Sequence, residues 1–163
     1  MNPQVKSIAK MGITAALYVV LCYAFAFMSY GLIQFRIAEI LIILTFYNKK
    51  YCIPVILGTF IANMLSGVYD MILGTLATVL VLLVIIFIKN MKVKKIIAAP
   101  VAAIINGVII GLMLHYIFEV PDVTLWGCMA SVAIGEFAVI LVGVLIFTGI
   151  EKTNKRFIKI LRG

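Results

Sequence analysis

Six long apolar runs separated by short polar breaks constrain the fold of this chain more than any other feature. A helix that spans a bilayer needs about 20 predominantly apolar residues, and four of the runs approach or exceed that length. Because 65% of the residues are hydrophobic and only 12% are charged, a soluble domain of this size could not cover its apolar surface. The sequence therefore predicts an all-α integral membrane protein, with one transmembrane domain (1–163) of six helices. The runs cover residues 11–28, 37–47, 52–65, 71–88, 96–118 and 123–150.

The basic residues fall almost entirely on one side of the predicted bundle. If the N-terminus is cytoplasmic, the inner segments carry thirteen of the fourteen Lys and Arg residues, and the outer breaks carry Arg36. This positive-inside pattern predicts a multi-pass membrane protein with two cytoplasmic termini. The net charge of +8 then reflects orientation and contact with an anionic lipid bilayer, and no nucleic-acid partner is expected. In the tail 151–163, basic residues at helical spacing predict an interfacial helix.

Two of the runs, 37–47 and 52–65, are short for a membrane span. The first reaches an adequate length only by including residues 31–36, and the second only by including Tyr51 and 66–68. Short helices with polar tips are expected where a wall lines a cavity. Helix tilt or local thinning of the bilayer is the alternative explanation.

Motifs for enzyme chemistry are absent from the sequence. It contains no GxxxxGK[ST] for ATP, no HExxH or GxSxG, and no CxxC among its three cysteines. These absences argue against an enzyme, and neither a metal nor a cofactor is expected.

Polar residues within or beside the apolar runs form the candidate binding site. An ionisable group at membrane depth costs roughly 2.5–3.5 kcal/mol on insertion scales, so a structural or functional role is expected for each one. Arg36 and Glu39, spaced i, i+3, can offset each other's charge. Glu136 lies roughly 17 Å along its helix at 1.5 Å per residue, and a carboxylate there needs a partner, a proton or a ligand. The candidate substrate-binding residues are Gln34, Arg36, Glu39, Asn63, Asp70, Asn106 and Glu136.

Amide and aromatic side chains extend this site. Asn63 and Asn106 can donate and accept together, which suits the edge of a heterocycle, although an inter-helix hydrogen bond is the simpler interpretation. Several aromatic residues lie at the same level, among them Tyr69 and Trp126. Most of these aromatic residues are expected to belong to the interfacial belt. Together these residues predict an outward-facing pocket for a small, planar, hydrogen-bonding solute.

The first helix carries small residues, including Gly12, Ala15 and Ala16, at three- and four-residue spacing. Such a face allows another helix to approach closely. It serves either internal packing or the docking of a separate membrane subunit.

Several segments together resemble one transporter family. They are 34–39 (QFRIAE), 62–67 (ANMLSG) and 74–78 (GTLAT), with Asp70, Asn106 and the pair Gly135-Glu136. This set is similar to the QueT family, the substrate-binding (S) components of energy-coupling factor (ECF) transporters for queuosine precursors. The resemblance covers nearly the whole chain and implies an S-component-like bundle.

The resemblance also implies partners and a substrate. S components capture a micronutrient outside the cell and then join a transmembrane coupling subunit and two ATPase subunits. The small-residue face of helix one matches the place where S components meet the coupling subunit. The expected solute is a 7-deazaguanine, such as 7-aminomethyl-7-deazaguanine or queuine. Two adjacent donors on a guanine-type ring suit a carboxylate, here Glu136 or Glu39, and the ring carbonyl suits Arg36, Gln34 or an Asn. Asp70 or the other acid would receive the polar or cationic substituent.

Two alternatives stay open at this point. The same helices serve an S component for another flat micronutrient, such as a vitamin, because a fold does not determine a substrate. A non-transporting membrane scaffold subunit would bind no ligand and would tolerate neutral residues at Arg36 and Glu136.

Overall fold

The computed structural model describes residues 2–29 and 35–162, and in this part of the chain every regular element is a helix. A long first helix and a one-turn helix are followed by a short central segment and a helix of 12 residues. Three long helices come next, and a short helix ends the chain. The α-helices are α1 (Pro3–Ala24), α2 (Ala26–Ser29), α3 (Leu44–Tyr47), α4 (Cys52–Asn63), α5 (Val68–Phe87), α6 (Met91–Tyr116), α7 (Leu125–Thr153) and α8 (Lys155–Arg162). Two 3₁₀ segments, Ile37–Ile43 and Lys49–Tyr51, lie before and after α3.

Four of these helices, α1, α5, α6 and α7, are long and apolar enough to cross a membrane. They correspond to the first and the last three of the predicted apolar runs. The prediction of an all-helical membrane bundle is therefore confirmed. The six spans and the cytoplasmic position of both termini stay predictions.

The short run 37–47 forms the centre of the bundle. Nine of its eleven residues are buried, and the segment packs mainly against α1 and α7. A 3₁₀ helix rises about 2.0 Å per residue, compared with 1.5 Å in an α-helix, so Ile37–Tyr47 spans about 20 Å. The segment is thus longer than its residue count suggests, and it is surrounded mainly by other helices of the bundle.

The predicted lengthening of the second short run through 66–68 is wrong, whereas Tyr51 lies in the 3₁₀ segment that leads directly into α4. Helix α4 ends at Asn63, and α5 begins at Val68 after a turn. Gly67 has a φ of 108°, a conformation that L side chains rarely adopt, and this reverses the chain before 66–68 can continue α4. Lengthening of the first short run through 31–36 falls partly outside the described residues, and residues 35 and 36 precede the 3₁₀ segment without being helical.

The α6–α7 pair, the most extensive helix contact in the bundle, depends on a glycine. A Cβ atom on Gly111 would lie 2.6 Å from the backbone Cα of Met129, which is closer than real Cβ atoms come. Small residues allow membrane helices to pack at this distance.

We expect Gly111→Ala to lower the free energy of unfolding in detergent by about 1–3 kcal/mol, because overpacking forces α6 and α7 apart. Gly149→Ala is the matched control, since a Cβ there meets nothing within 4 Å and alanine favours the helix. A thermal unfolding midpoint of G111A equal to that of G149A would show that the two helices separate at no cost.

Candidate functional site

Five of the predicted site residues come from four separate parts of the chain and are all buried. Arg36 precedes the central 3₁₀ segment, Glu39 lies within it, Asn63 ends α4, Asp70 is in the first turn of α5, and Glu136 lies within α7. Each has at most 2% of its surface exposed. We call these five residues the polar cluster.

An ion pair between Arg36 and Asp70 organises the cluster. Arg36 Nη2 donates to Asp70 Oδ1 at 2.9 Å and to Oδ2 at 3.0 Å. The i, i+3 spacing predicted Glu39 as the offsetting charge, but the carboxylate that holds Nη2 belongs to α5. Asp70 lies in the first turn of α5, where the positive end of the helix dipole stabilises the negative charge of its carboxylate.

Asn63 and Gly74 form the wall beside this ion pair. Asn63 Nδ2 donates to the backbone carbonyl of Asp70 at 3.2 Å, which ties the end of α4 to the start of α5. A Cβ atom on Gly74 would lie 2.5 Å from Asn63 Nδ2 and 3.3 Å from Arg36 Nη1. Only glycine leaves room for both side chains, and this role was not predicted although Gly74 belongs to the GTLAT segment.

Glu39 has two hydroxyl partners that sequence reasoning missed. The Tyr18 hydroxyl donates to Glu39 Oε1 at 2.5 Å, and the Thr78 hydroxyl donates to the same oxygen at 3.3 Å. Tyr18 is fully buried in the middle of α1. A hydroxyl at that depth needs an acceptor, and that need could have identified Tyr18 from the sequence.

Two carboxylate oxygens of the cluster have no hydrogen-bond partner among the described residues. They are Oε2 of Glu136 and Oε2 of Glu39. Glu136 lies close enough to Arg36 and Glu39 for their charges to interact with it. Buried polar atoms are nearly always hydrogen-bonded, so these two oxygens are available to accept from a donor of a bound molecule.

The remaining predicted residues differ in position. Asn106 is buried, but its Nδ2 donates to Ala102 O of its own helix at 3.1 Å, and none of the described hydrogen bonds joins it to the polar cluster. Gln34 lies outside the described residues. Tyr69 and Trp126 are 57% and 77% exposed, which suits the aromatic belt.

The small residues of α1 face two ways. Ala15 is half-buried, and a Cβ on Gly58 of α4 would lie 3.2 Å from the Ala15 carbonyl, so this part packs internally. Gly12 and Ala16 are exposed, and a Cβ on Gly12 would meet nothing within 4 Å. Both interpretations of the small-residue face thus have a place on the same helix.

The polar cluster has the chemistry of a binding site for a small polar molecule. It contains a guanidinium and an amide, and it contains two carboxylate oxygens that lack a hydrogen-bond partner among the described residues. All of these groups are buried, where hydrogen bonds are strong. A flat ligand with donors on one edge and an acceptor on another would satisfy these groups.

Comparison with known proteins agrees with this chemistry. The family model described as QueT transporter matches residues 8–152. The chain is 35% identical over 162 residues to the queuosine precursor transporter QueT of Lactococcus lactis subsp. cremoris (strain MG1363), an alignment that covers 91% of this chain and 92% of that protein. No solved structure matches the chain. Because the family match extends over most of its length, the chain belongs to the QueT transporter family.

Proposed function

We propose that this chain is the substrate-binding subunit of an ECF transporter and imports a queuosine precursor of the 7-deazaguanine class across the bacterial cell membrane. Family membership and the name of the Lactococcus relative support the substrate class. The observation that carries the site is the buried Oε2 of Glu136, which has no hydrogen-bond partner among the described residues and lies near the Arg36–Asp70 ion pair.

The hydrogen bonds favour one assignment of the ligand's edges. Glu39 Oε1 already accepts from two hydroxyls and Asp70 is held by Arg36, whereas Glu136 makes none of the described hydrogen bonds. Glu136 therefore takes the adjacent ring N–H and exocyclic amine of the base. Arg36 or Asn63 donates to the ring carbonyl. The second oxygen of Glu39 is then available for the cationic or polar substituent.

The exposed face of α1 is the docking surface for the coupling subunit in this proposal. Helix α1 is the least buried of the four long helices. Gly12 and Ala16 on this face leave room for a second helix to approach. Since the sequence contains no P-loop, ATP hydrolysis belongs to two ATPase subunits that join the coupling subunit.

We expect the double variant G12L/A16L to lose co-purification with the coupling subunit and the ATPases while it keeps its affinity for the ligand. Bulky side chains at these positions prevent the close approach of a partner helix but meet no contact within this chain at Gly12. Gly149→Leu is the matched control, because it adds a leucine to another open helical position.

Uptake of radiolabelled 7-aminomethyl-7-deazaguanine by cells that express the chain or its variants tests the transport function. Cells that express the chain with the coupling subunit and ATPases should accumulate the label, and cells with G12L/A16L should not. Full uptake by the double variant would rule out this face as the docking surface. The absence of uptake with any queuosine precursor in cells that contain the assembled complex would contradict the proposed transport.

A further inference from the structure

A cavity of about 370 Å³ lies at the end of the bundle that carries the start of α1. Three elements meet there: the first turns of α1, the segment around Asn48 and the end of α8. Among the described residues its lining includes four basic side chains and no carboxylate. These are Lys6, Lys10, Lys50 and Arg162, accompanied by Ser7 and Asn48 as neutral hydrogen-bonding groups.

Hydrogen bonds between the three elements hold the cavity in shape. Lys10 Nζ donates to Ile160 O at 2.6 Å, and Asn48 Nδ2 donates to Arg162 O at 3.2 Å. Both acceptors are carbonyls in the last turn of α8, where a helix leaves them without internal partners. The apolar side of α8 is buried against the bundle. These two bonds connect α8 to α1 and to the segment around Asn48, so the three elements that carry the basic residues are joined around one space.

Among the described residues, no acid belongs to the lining of this cavity. Lys10 has three donors and uses one of them on α8, so others remain for a ligand. Glu151, the acid near the end of α7, bonds to Lys95 and lines a neighbouring cavity together with Arg162, whose charge it partly offsets. The three lysines keep the cavity cationic, which favours an anion, and clustered N–H donors suit phosphate oxygens in particular.

The surroundings favour a phosphate attached to a lipid. An adjoining cavity shares Ser7 and Lys50 with the first and extends to Ile8, which is 64% exposed on the outside of α1. Basic residues beside a membrane span attract anionic headgroups. We infer that the cavity lined by Lys6, Lys10, Lys50 and Arg162 binds a phosphate group, supplied by an anionic phospholipid of the surrounding membrane.

Native mass spectrometry of the full-length chain in detergent tests this inference. Dioleoylphosphatidylglycerol and inorganic phosphate are titrated separately and then in competition. We expect K6Q/K50Q to weaken phosphatidylglycerol binding about 30-fold, since each of these lysines loses a direct hydrogen bond to the phosphate worth about 1 kcal/mol. The matched control K89Q/K92Q removes the same charge from two exposed lysines that do not line the cavity, and it should change binding less than threefold.

The outcomes separate the sources of the phosphate. Lipid binding that depends on Lys6 and Lys50 and resists millimolar inorganic phosphate supports a headgroup site. Binding of inorganic phosphate with the same dependence, but no lipid binding, supports the phosphate site and overturns the lipid source. Equal losses in both double variants, or no binding of either probe, overturn the inference. Lys6 and Lys50 are exposed, so the fold should persist, and the single variant K50Q repeats the test if the double variant aggregates.

Discussion

Replacing Asp70 with asparagine is expected to lower the free energy of unfolding by about 3–5 kcal/mol, which is the usual cost of removing one partner from a buried ion pair. The guanidinium of Arg36 is 2% exposed, and Asp70 supplies the carboxylate for its Nη2 at 2.9 and 3.0 Å. Denaturant or thermal unfolding in detergent measures the effect. Ligand binding should fall with it, because Arg36 loses its fixed orientation.

Two further variants make this prediction sharper. Glu151→Gln disrupts the partly exposed pair with Lys95 and should cost no more than about 1 kcal/mol. The double variant R36M/D70N should recover part of the stability, because no uncompensated charge stays buried, yet it should not recover ligand binding. If D70N unfolds at the same point as E151Q, the buried pair contributes nothing special to the fold.

Replacing Glu136 with glutamine is expected to weaken binding of the 7-deazaguanine about 100-fold. The amide keeps the size of the side chain but presents a donor where the base also presents donors. Loss of a charge-assisted pair of hydrogen bonds costs about 3 kcal/mol, and each 1.4 kcal/mol is tenfold in affinity. Calorimetric titration of the purified variant measures the change.

Stability distinguishes a binding role from a structural one in this variant. Glu136 Oε2 has no hydrogen-bond partner among the described residues, so its neutralisation should leave the ligand-free protein as stable as before or more stable. Glu119→Gln, which changes an exposed carboxylate, is the control and should bind normally. Unchanged affinity in E136Q would remove Glu136 from the site.

Hydropathy predicted much of the fold, because a bilayer imposes a simple rule on helix length. Three of the four long helices lie close to their predicted runs, whereas α1 begins eight residues before its run, at Pro3. The two short runs were harder. Their lengthening was inferred from the thickness of a bilayer, but Gly67 reverses the chain after α4, and the 3₁₀ segment Ile37–Ile43 gains length by its steeper rise.

The burial of the polar cluster was predictable from the sequence, but its pairings were not, and its role as a binding site stays a prediction. Depth in the membrane identified Arg36, Glu39 and Asp70 as groups that need a reason, and the structure buries all three. Local spacing suggested that Arg36 and Glu39 offset each other, since only near neighbours are visible in one sequence. The contacts of Arg36 with Asp70 and of Glu39 with Tyr18 connect distant parts of the chain, and only the folded bundle shows them.

A binding titration on the purified, detergent-solubilised chain tests the central claim most directly. The panel contains 7-aminomethyl-7-deazaguanine, its nitrile precursor, queuine, guanine and several vitamins. The account predicts tight and selective binding of one 7-deazaguanine, lost in E136Q and kept in E119Q. Binding of a vitamin with the deazaguanines inert, or no binding by any of these compounds to a well-folded sample, would contradict it.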